Sequence, residues 1–319
     1  MKALRFSQYG PPSVLTIEEL PMPELRAGFS LVRIDASAVN PSDVKNVAGA
    51  FKTSLPRTPG RDYAGTVIAG DGKGREVWGS GPGFGVECDG CHAEFVAMPA
   101  QWLADKPPHL SMEQAAAIGV PFIVAWNGLV QKAEVKSNDT VLVTGALGAV
   151  GRAVTQIAHW RGARVIGADV IERASECDTY INTKTQDLVS AVKAATSGKG
   201  VDLAYDTVGG SLFEQCLKSL RIGGRQVAIA SAGERRVSFD LIDFYHNLTC
   251  LIGVDSLKLT GPEIAGIMGA LRQGFELGAI RPYPIKTWPL HDAIAAYTAV
   301  GKGAGPEKQV LNPASLSMM

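Results

Sequence analysis

The sequence predicts an α/β protein in which a doubly wound parallel sheet is set inside a β-rich domain. Three observations predict it. Residues 141–151 read as an apolar strand that runs into a glycine-punctuated turn, and apolar residues at helical spacing follow. From Ile118 to about Ser256, β-branched runs alternate with helical stretches, the grammar of a parallel sheet covered on both faces. On either side of that region, short strands punctuated by proline and glycine take over.

The first hundred residues are expected to supply strands at Leu4-Arg5-Phe6, Leu15–Glu18, Ser30–Val39 and Ala64–Ala69, separated by Pro11-Pro12 and Pro21-Met22-Pro23. Glycine crowds residues 70–90 without a repeat period, which marks loops. His92–Met98 reads as a further strand. Ser111, with Gln114 three residues on, predicts a helix opened by a capping box. In the alternating region the expected strands are Thr140–Thr144, Arg164–Ala168, Leu203–Tyr205, Arg225–Ala230 and Thr249–Val254. A helix over Pro262–Leu277, a strand at Tyr283–Ile285, a helix from Leu290 and a closing strand near Gln309–Leu311 follow. These last pieces match the amino-terminal part in character. The expected division is therefore 1–117 and 257–319 for one domain, with 118–256 inserted.

The chemistry starts at the turn. Val141 to Gly151, followed by Arg152 to Ala158, gives the strand–turn–helix context that a dinucleotide-binding turn requires. Thr144, Gly145, Gly148, Ala149, Val150 and Gly151 are the candidate phosphate site. Gly148 lets the backbone approach a pyrophosphate, Gly151 lets the helix pack on the strand, and the helix-start amides offer donors. Ala146 replaces the first glycine of the usual G-x-G-x-x-G. Asp169 ends the next strand about twenty residues past Gly148, where a ribose diol would sit. A carboxylate there favours NADH over a 2′-phosphorylated dinucleotide; Arg173, four residues on, could instead accommodate that phosphate.

Composition removes other classes. The 319 residues carry 31 basic and 31 acidic side chains, so no basic stripe argues for nucleic acid or an anionic membrane. No apolar stretch reaches about eighteen residues, and Met1–Phe6 runs straight into a strand-like pattern, so neither a membrane span nor a signal peptide is expected. Five scattered cysteines, Cys88, Cys91, Cys177, Cys216 and Cys250, suit a reducing, cytoplasmic setting. Cys88-Asp89-Gly90-Cys91-His92 fits a two-ligand zinc spacing, a redox dithiol and c-type haem attachment. Haem attachment needs an export signal and a structural zinc needs further ligands, so the plain expectation is no special role.

Several motifs in order carry a resemblance to a known family. They are Asn40-Pro41-Ser42-Asp43, Pro59 to Gly65, Gly90 to Val96, Ala115-Ala116-Ala117, Val141 to Gly151, Tyr205 to Gly209 and Lys308 to Leu311. The chain resembles the medium-chain dehydrogenase/reductase superfamily, in its zinc-independent quinone oxidoreductase branch. The resemblance implies a GroES-like catalytic domain with a Rossmann-type domain inserted and the active site in the cleft between them. It implies hydride transfer from NAD(P)H to a quinone or an α,β-unsaturated carbonyl. Other readings are an enoyl-thioester or carbonyl reductase, or a nucleotide-binding protein without catalysis. The branch more often uses NADPH, against the local chemistry of Asp169.

By the same resemblance Asn40 and Asp43 lie at the floor of the site, with Arg61 and Tyr63 nearby. Zinc relatives place a cysteine near Ser42 and a histidine at Arg61; a guanidinium has no lone pair to give, and the four-cysteine lobe is missing, so no metal is expected. Arg61 could stabilise a developing enolate or quinol oxygen, or it could brace the domain. Tyr63 could donate a proton or pack. Phe51 stands where an enoyl-thioester reductase often has a tyrosine donor. Thr207, Val208, Gly209, Ala230 and Ser231 would lie at strand ends beside the dinucleotide, and Val254 would face its carboxamide. The resemblance also implies a homodimer paired through the edge strand Leu248–Val254.

Overall fold

A β-branched run with no polar face is satisfied only inside a sheet, and Thr140–Thr144 lies there, with a strand on each side. The computed structural model describes residues 1–173, 175–303 and 305–313. It divides into two units, Val124–Ser256 and Met1–Ile123 with the chain from Leu257 onward. The first break falls beyond residue 117 because the next helix starts on the earlier unit: the Val120 amide donates to both Asp62 oxygens, at 2.9 and 3.0 Å.

In the unit Val124–Ser256, six parallel strands stand in the order Thr179–Asn182, Arg164–Asp169, Thr140–Thr144, Val201–Asp206, Leu220–Ala228 and Cys250–Gly253. The order runs outward both ways from Thr140–Thr144. The gap between Thr140–Thr144 and Val201–Asp206 is therefore the topological switch point, and open α/β sheets bind ligands at the carboxyl ends of their strands there. Leu142, Ile166, Ala168, Ile181 and Ala204 form the core with Leu188 and Val192 from the helix Leu188–Ala195.

Thr179–Asn182 is an addition to the expected strands. It pairs in parallel with Arg164–Asp169, Thr179 opposite Ile166 and Asn182 opposite Asp169. Parallel neighbours are ordinarily joined by a dozen or more residues including a helix. Here residues 170–178 make the crossover, and no described residue in that stretch is helical. Four residues of mixed polarity carry too little periodicity to be read as a strand.

In the other unit, the long strand Phe29–Ala38 pairs antiparallel with Asp62–Gly70, Phe95–Pro99 and Lys308–Asn312. Glu76–Ser80, Ala104–Asp105 and Ile285–Pro289 extend the sheet, and Lys2–Arg5 forms a separate hairpin with Thr16–Glu19. The expected strands at His92–Met98 and Tyr283–Ile285 begin later, at Phe95 and Ile285. The expected capping box is present: Ser111 Oγ accepts from the Gln114 amide and Gln114 Oε1 from the Ser111 amide, both at 3.1 Å. Among the described residues no helix is long and apolar enough to cross a membrane.

Candidate active site

At the switch point the turn is held by side chains from two neighbouring strand ends. Thr144 Oγ1 donates to Asp206 Oδ1 at 2.6 Å and accepts from the Thr207 amide at 3.1 Å, while Thr207 Oγ1 donates to the Thr144 carbonyl at 2.7 Å. The same Asp206 oxygen accepts from the Val208 and Gly209 amides, at 3.0 and 2.9 Å. Asp206 is fully buried, and it ties the glycine turn to the loop Thr207–Gly209. It is not among the expected site residues, although it stands within the Tyr205–Gly209 motif. Gly209 in turn packs against Ala230 and Ser231, and the Val254 amide donates to the Ala228 carbonyl. The structure thus gathers Thr144, Gly145, Thr207, Val208, Gly209, Ala230 and Ser231 at neighbouring strand ends, with Val254 one strand further out.

The helix Ala149–Trp160 starts from Gly148, which is exposed. Gly145 adopts φ +60°, and a methyl group on Gly151 would stand 2.2 Å from the Gly145 carbonyl oxygen, so neither position accepts an ordinary side chain. Asp169 braces this turn: its oxygens accept from the Leu147 amide at 3.0 Å and the Val170 amide at 2.7 Å. Arg173 reaches the Leu147 carbonyl at 3.5 Å. A bare cradle at a helix start, an exposed Gly148 and a carboxylate at the next strand end fit a dinucleotide's pyrophosphate and ribose.

A second cluster lies in the other unit. Asn40 precedes the helix Pro41–Val47, and its amide nitrogen donates to Asp43 Oδ2 at 2.8 Å. Its side chain donates from Nδ2 to Asp62 Oδ2 at 2.7 Å and accepts at Oδ1 from Lys308 Nζ at 2.7 Å. Asn40, Asp43, Arg61, Asp62 and Lys308 are all buried. Burial pushes the Asp43 carboxyl up to about 7; the neighbouring Asp62 adds to this, and the Asn40 amide, Arg61 and Lys308 oppose it. Asp62 is raised as well, by burial, against the pull of Lys308, Asn40 and Arg61. Asp62 and Lys308 extend the expected site; both stand within motifs that carry the resemblance, but neither is assigned a place in it.

Tyr63 does not join this cluster, which corrects the expectation. Adjacent strand residues face opposite ways. While Asp62 meets Asn40, Tyr63 packs with Val32, Ile34, Val67 and Val77, 1% exposed. Burial pushes its phenol far above the ordinary range, and its neighbours are the apolar core.

Cys88, Cys91 and His92 also part company. Cys88 is exposed, with its thiol pushed up to about 11 by partial burial. Cys91 is buried in the apolar core. His92 Nε2 lies 3.3 Å from the Ala38 carbonyl, which can only accept, so Nδ1 accepts from the Tyr297 hydroxyl at 2.9 Å. Burial lowers His92 to about 4, a neutral ring filling space between strands and helix.

Residues 26–108 match the family described as alcohol dehydrogenase GroES-like domain, and residues 149–265 the one described as zinc-binding dehydrogenase. A zinc-type alcohol dehydrogenase-like protein of Schizosaccharomyces pombe is 39% identical over 287 residues, 87% of this chain and 86% of that one. A quinone oxidoreductase of Rattus norvegicus is 28% identical over 315 residues, 96% and 95% of the two chains. Among solved structures, an NAD-dependent alcohol dehydrogenase superposes with a TM-score of 0.88 at 29% identity, covering 98% of this chain and 99% of the other. A mycobacterial protein complexed with NADPH superposes at 0.86 and 26% identity, covering 98% and 100%. These matches define the chain as an oxidoreductase. The chain belongs to the medium-chain dehydrogenase/reductase superfamily, in its zinc-independent, quinone oxidoreductase-like branch.

One matched family is named for zinc, and the residues here do not fit that metal. Arg61 occupies the place where the resemblance puts a histidine ligand, and its guanidinium has no lone pair. Among the described residues no group of three or more His, Cys, Asp or Glu side chains is disposed to hold a metal ion.

Proposed function

We propose that the protein transfers hydride from NAD(P)H to a quinone or an α,β-unsaturated carbonyl without zinc. The observation that carries this reading is the buried set of Asn40, Asp43 and Arg61, with a permanent cation where the resemblance puts a metal ligand. The dinucleotide supplies the hydride; the chain's own residues bind and orient it and manage charge. In this reading the turn Gly145–Gly151 takes the pyrophosphate, Thr207–Gly209, Ala230, Ser231 and Val254 line the path towards the nicotinamide, and Arg61 stabilises the oxygen on which negative charge develops. Asp43 sits near neutrality, where an acid–base group works best. NADH is modestly preferred, because the Asp169 carboxylate at the strand end accepts hydroxyl donors and repels a 2′-phosphate.

Steady-state oxidation of NADH and NADPH against a quinone panel and an enone panel tests this. Arg61→Ala is expected to lower turnover on the order of 100-fold, the scale of losing one oxyanion stabiliser, with the cofactor KM nearly unchanged. Equal turnover in the variant would exclude Arg61 from the chemistry. Absence of turnover on every acceptor, with cofactor still bound, would exclude the activity.

The same reading includes a homodimer. The strand Cys250–Gly253 ends the six-stranded sheet, and around it Leu241, Ile242, Tyr245 and Leu248 are exposed, Leu248 at 70%. An unpaired edge beside an apolar surface is a pairing site for a second copy. Light scattering is expected to give twice the chain mass, and Ile242→Glu/Leu248→Glu to give the single-chain mass; a monomeric wild type sinks the assembly.

A further inference from the structure

Lys308 is the least expected member of the buried cluster. The closing strand Lys308–Asn312 pairs with Phe29–Ala38 so that Val310 lies opposite Ala38 and Leu311 opposite Ser37. The Val39 amide continues the ladder with a 2.9 Å bond to the Gln309 carbonyl. That register delivers the first residue of the closing strand to Asn40, 268 positions earlier in the chain. A lysine only 6% exposed gives up most of its hydration, so its partner matters. Its ammonium meets the Asn40 side-chain oxygen at 2.7 Å.

An ammonium has donors only and a carboxylate acceptors only. Between Lys308 and Asp62 the Asn40 amide therefore has one satisfactory orientation, with oxygen towards Lys308 and nitrogen towards Asp62. A half-turn would point nitrogen at the ammonium and oxygen at the carboxylate, two repulsions in place of two bonds. Asp62 is itself fixed by the Val120 amide and by its strand. The charged and titratable groups that bear on this cluster are Asp43, Asp62, Arg61 and Lys308, with the Cys91 thiol and the Tyr297 phenol beside Asp43.

We propose that Lys308 is a positioning residue that locks the Asn40 side-chain amide in one orientation, so that the carboxy-terminal strand completes the candidate catalytic cluster. The importance of that lock for turnover rests on the catalytic reading of Asn40; the lock itself does not.

Two readouts separate them. The first is the exchange rate of the Asn40 side-chain amide protons by NMR, with the signals assigned by their loss in Asn40→Ser. Lys308→Met is expected to speed that exchange at least tenfold, and Lys308→Arg to restore much of the protection. Unchanged exchange in Lys308→Met overturns the inference. If Lys308→Met does not fold, Lys308→Met/Asp62→Asn removes one charge of each sign and is expected to show the same faster exchange; wild-type exchange there overturns it equally. The second readout is turnover. A tenfold lower kcat at constant cofactor KM, together with faster exchange, supports both the lock and the role of Asn40. Faster exchange with wild-type kcat supports the lock and removes Asn40 from the chemistry.

Discussion

Gly151→Ala is expected to abolish useful dinucleotide binding while leaving a folded protein. The added methyl carbon would lie 2.2 Å from the Gly145 carbonyl oxygen and 2.7 Å from the Ala146 Cα, both backbone atoms that cannot rotate aside. The helix Ala149–Trp160 and the turn must then separate, and in the proposed function the turn presents amides to a pyrophosphate. Intrinsic preference runs the other way, since alanine favours a helix over glycine by about 1 kcal/mol. Any loss therefore reports the close approach. A dissociation constant raised roughly 100-fold corresponds to about 2.7 kcal/mol, within the usual penalty for overpacking. Titration of dinucleotide fluorescence measures it. The control is Gly266→Ala, also in a helix but with nothing within 4 Å of the new methyl, expected to be neutral or slightly stabilising. Wild-type affinity in Gly151→Ala would remove the turn from the binding site.

The second large effect is in stability against pH. Asp43 has its carboxyl at about 7 in the folded chain against an ordinary 3.8, so folding holds its proton more tightly than the unfolded chain does. Its contribution is most favourable below about pH 4 and is lost as pH rises towards 7. Between pH 5 and pH 8 this one group is expected to lower stability by roughly 2–3 kcal/mol. Asp62 is displaced in the same direction, whereas His92, held near 4, acts oppositely by favouring the fold as pH rises. The difference between wild type and Asp43→Asn isolates Asp43, since asparagine keeps an acceptor for the Asn40 amide and has no proton to lose. Urea unfolding at both pH values reads it. Parallel stability curves for the two proteins would mean that Asp43 titrates normally.

What the sequence revealed and what it hid follow from the range of the interactions. Thr140–Thr144 and the glycine turn were readable because apolar run, turn and helix are one local pattern. The strand Thr179–Asn182 was not, being four residues stabilised by a neighbour and not by its own periodicity. Asn40, Asp43 and Arg61 lie together in the fold, whereas Tyr63, next to Asp62 in sequence, is sent to the opposite face by the alternation of a strand. Asp206 acts across two strand ends that come together only at the switch point. Lys308 depends on the register of a strand pairing that no short window contains.

That pairing also sets a schedule. During synthesis Asn40, Asp43, Arg61 and Asp62 are made before the whole of Val124–Ser256, and the lysine that bonds Asn40 follows both. At a translation rate of about 5–20 residues per second, Asn40 waits on the order of ten to fifty seconds for its partner. A chain interrupted after Ser256 would carry every residue proposed to grip the dinucleotide and would lack the strand that finishes the buried cluster. Such a fragment would hold the proposed dinucleotide site beside an unfinished cluster, so the two proposed halves of the chemistry are completed at different times.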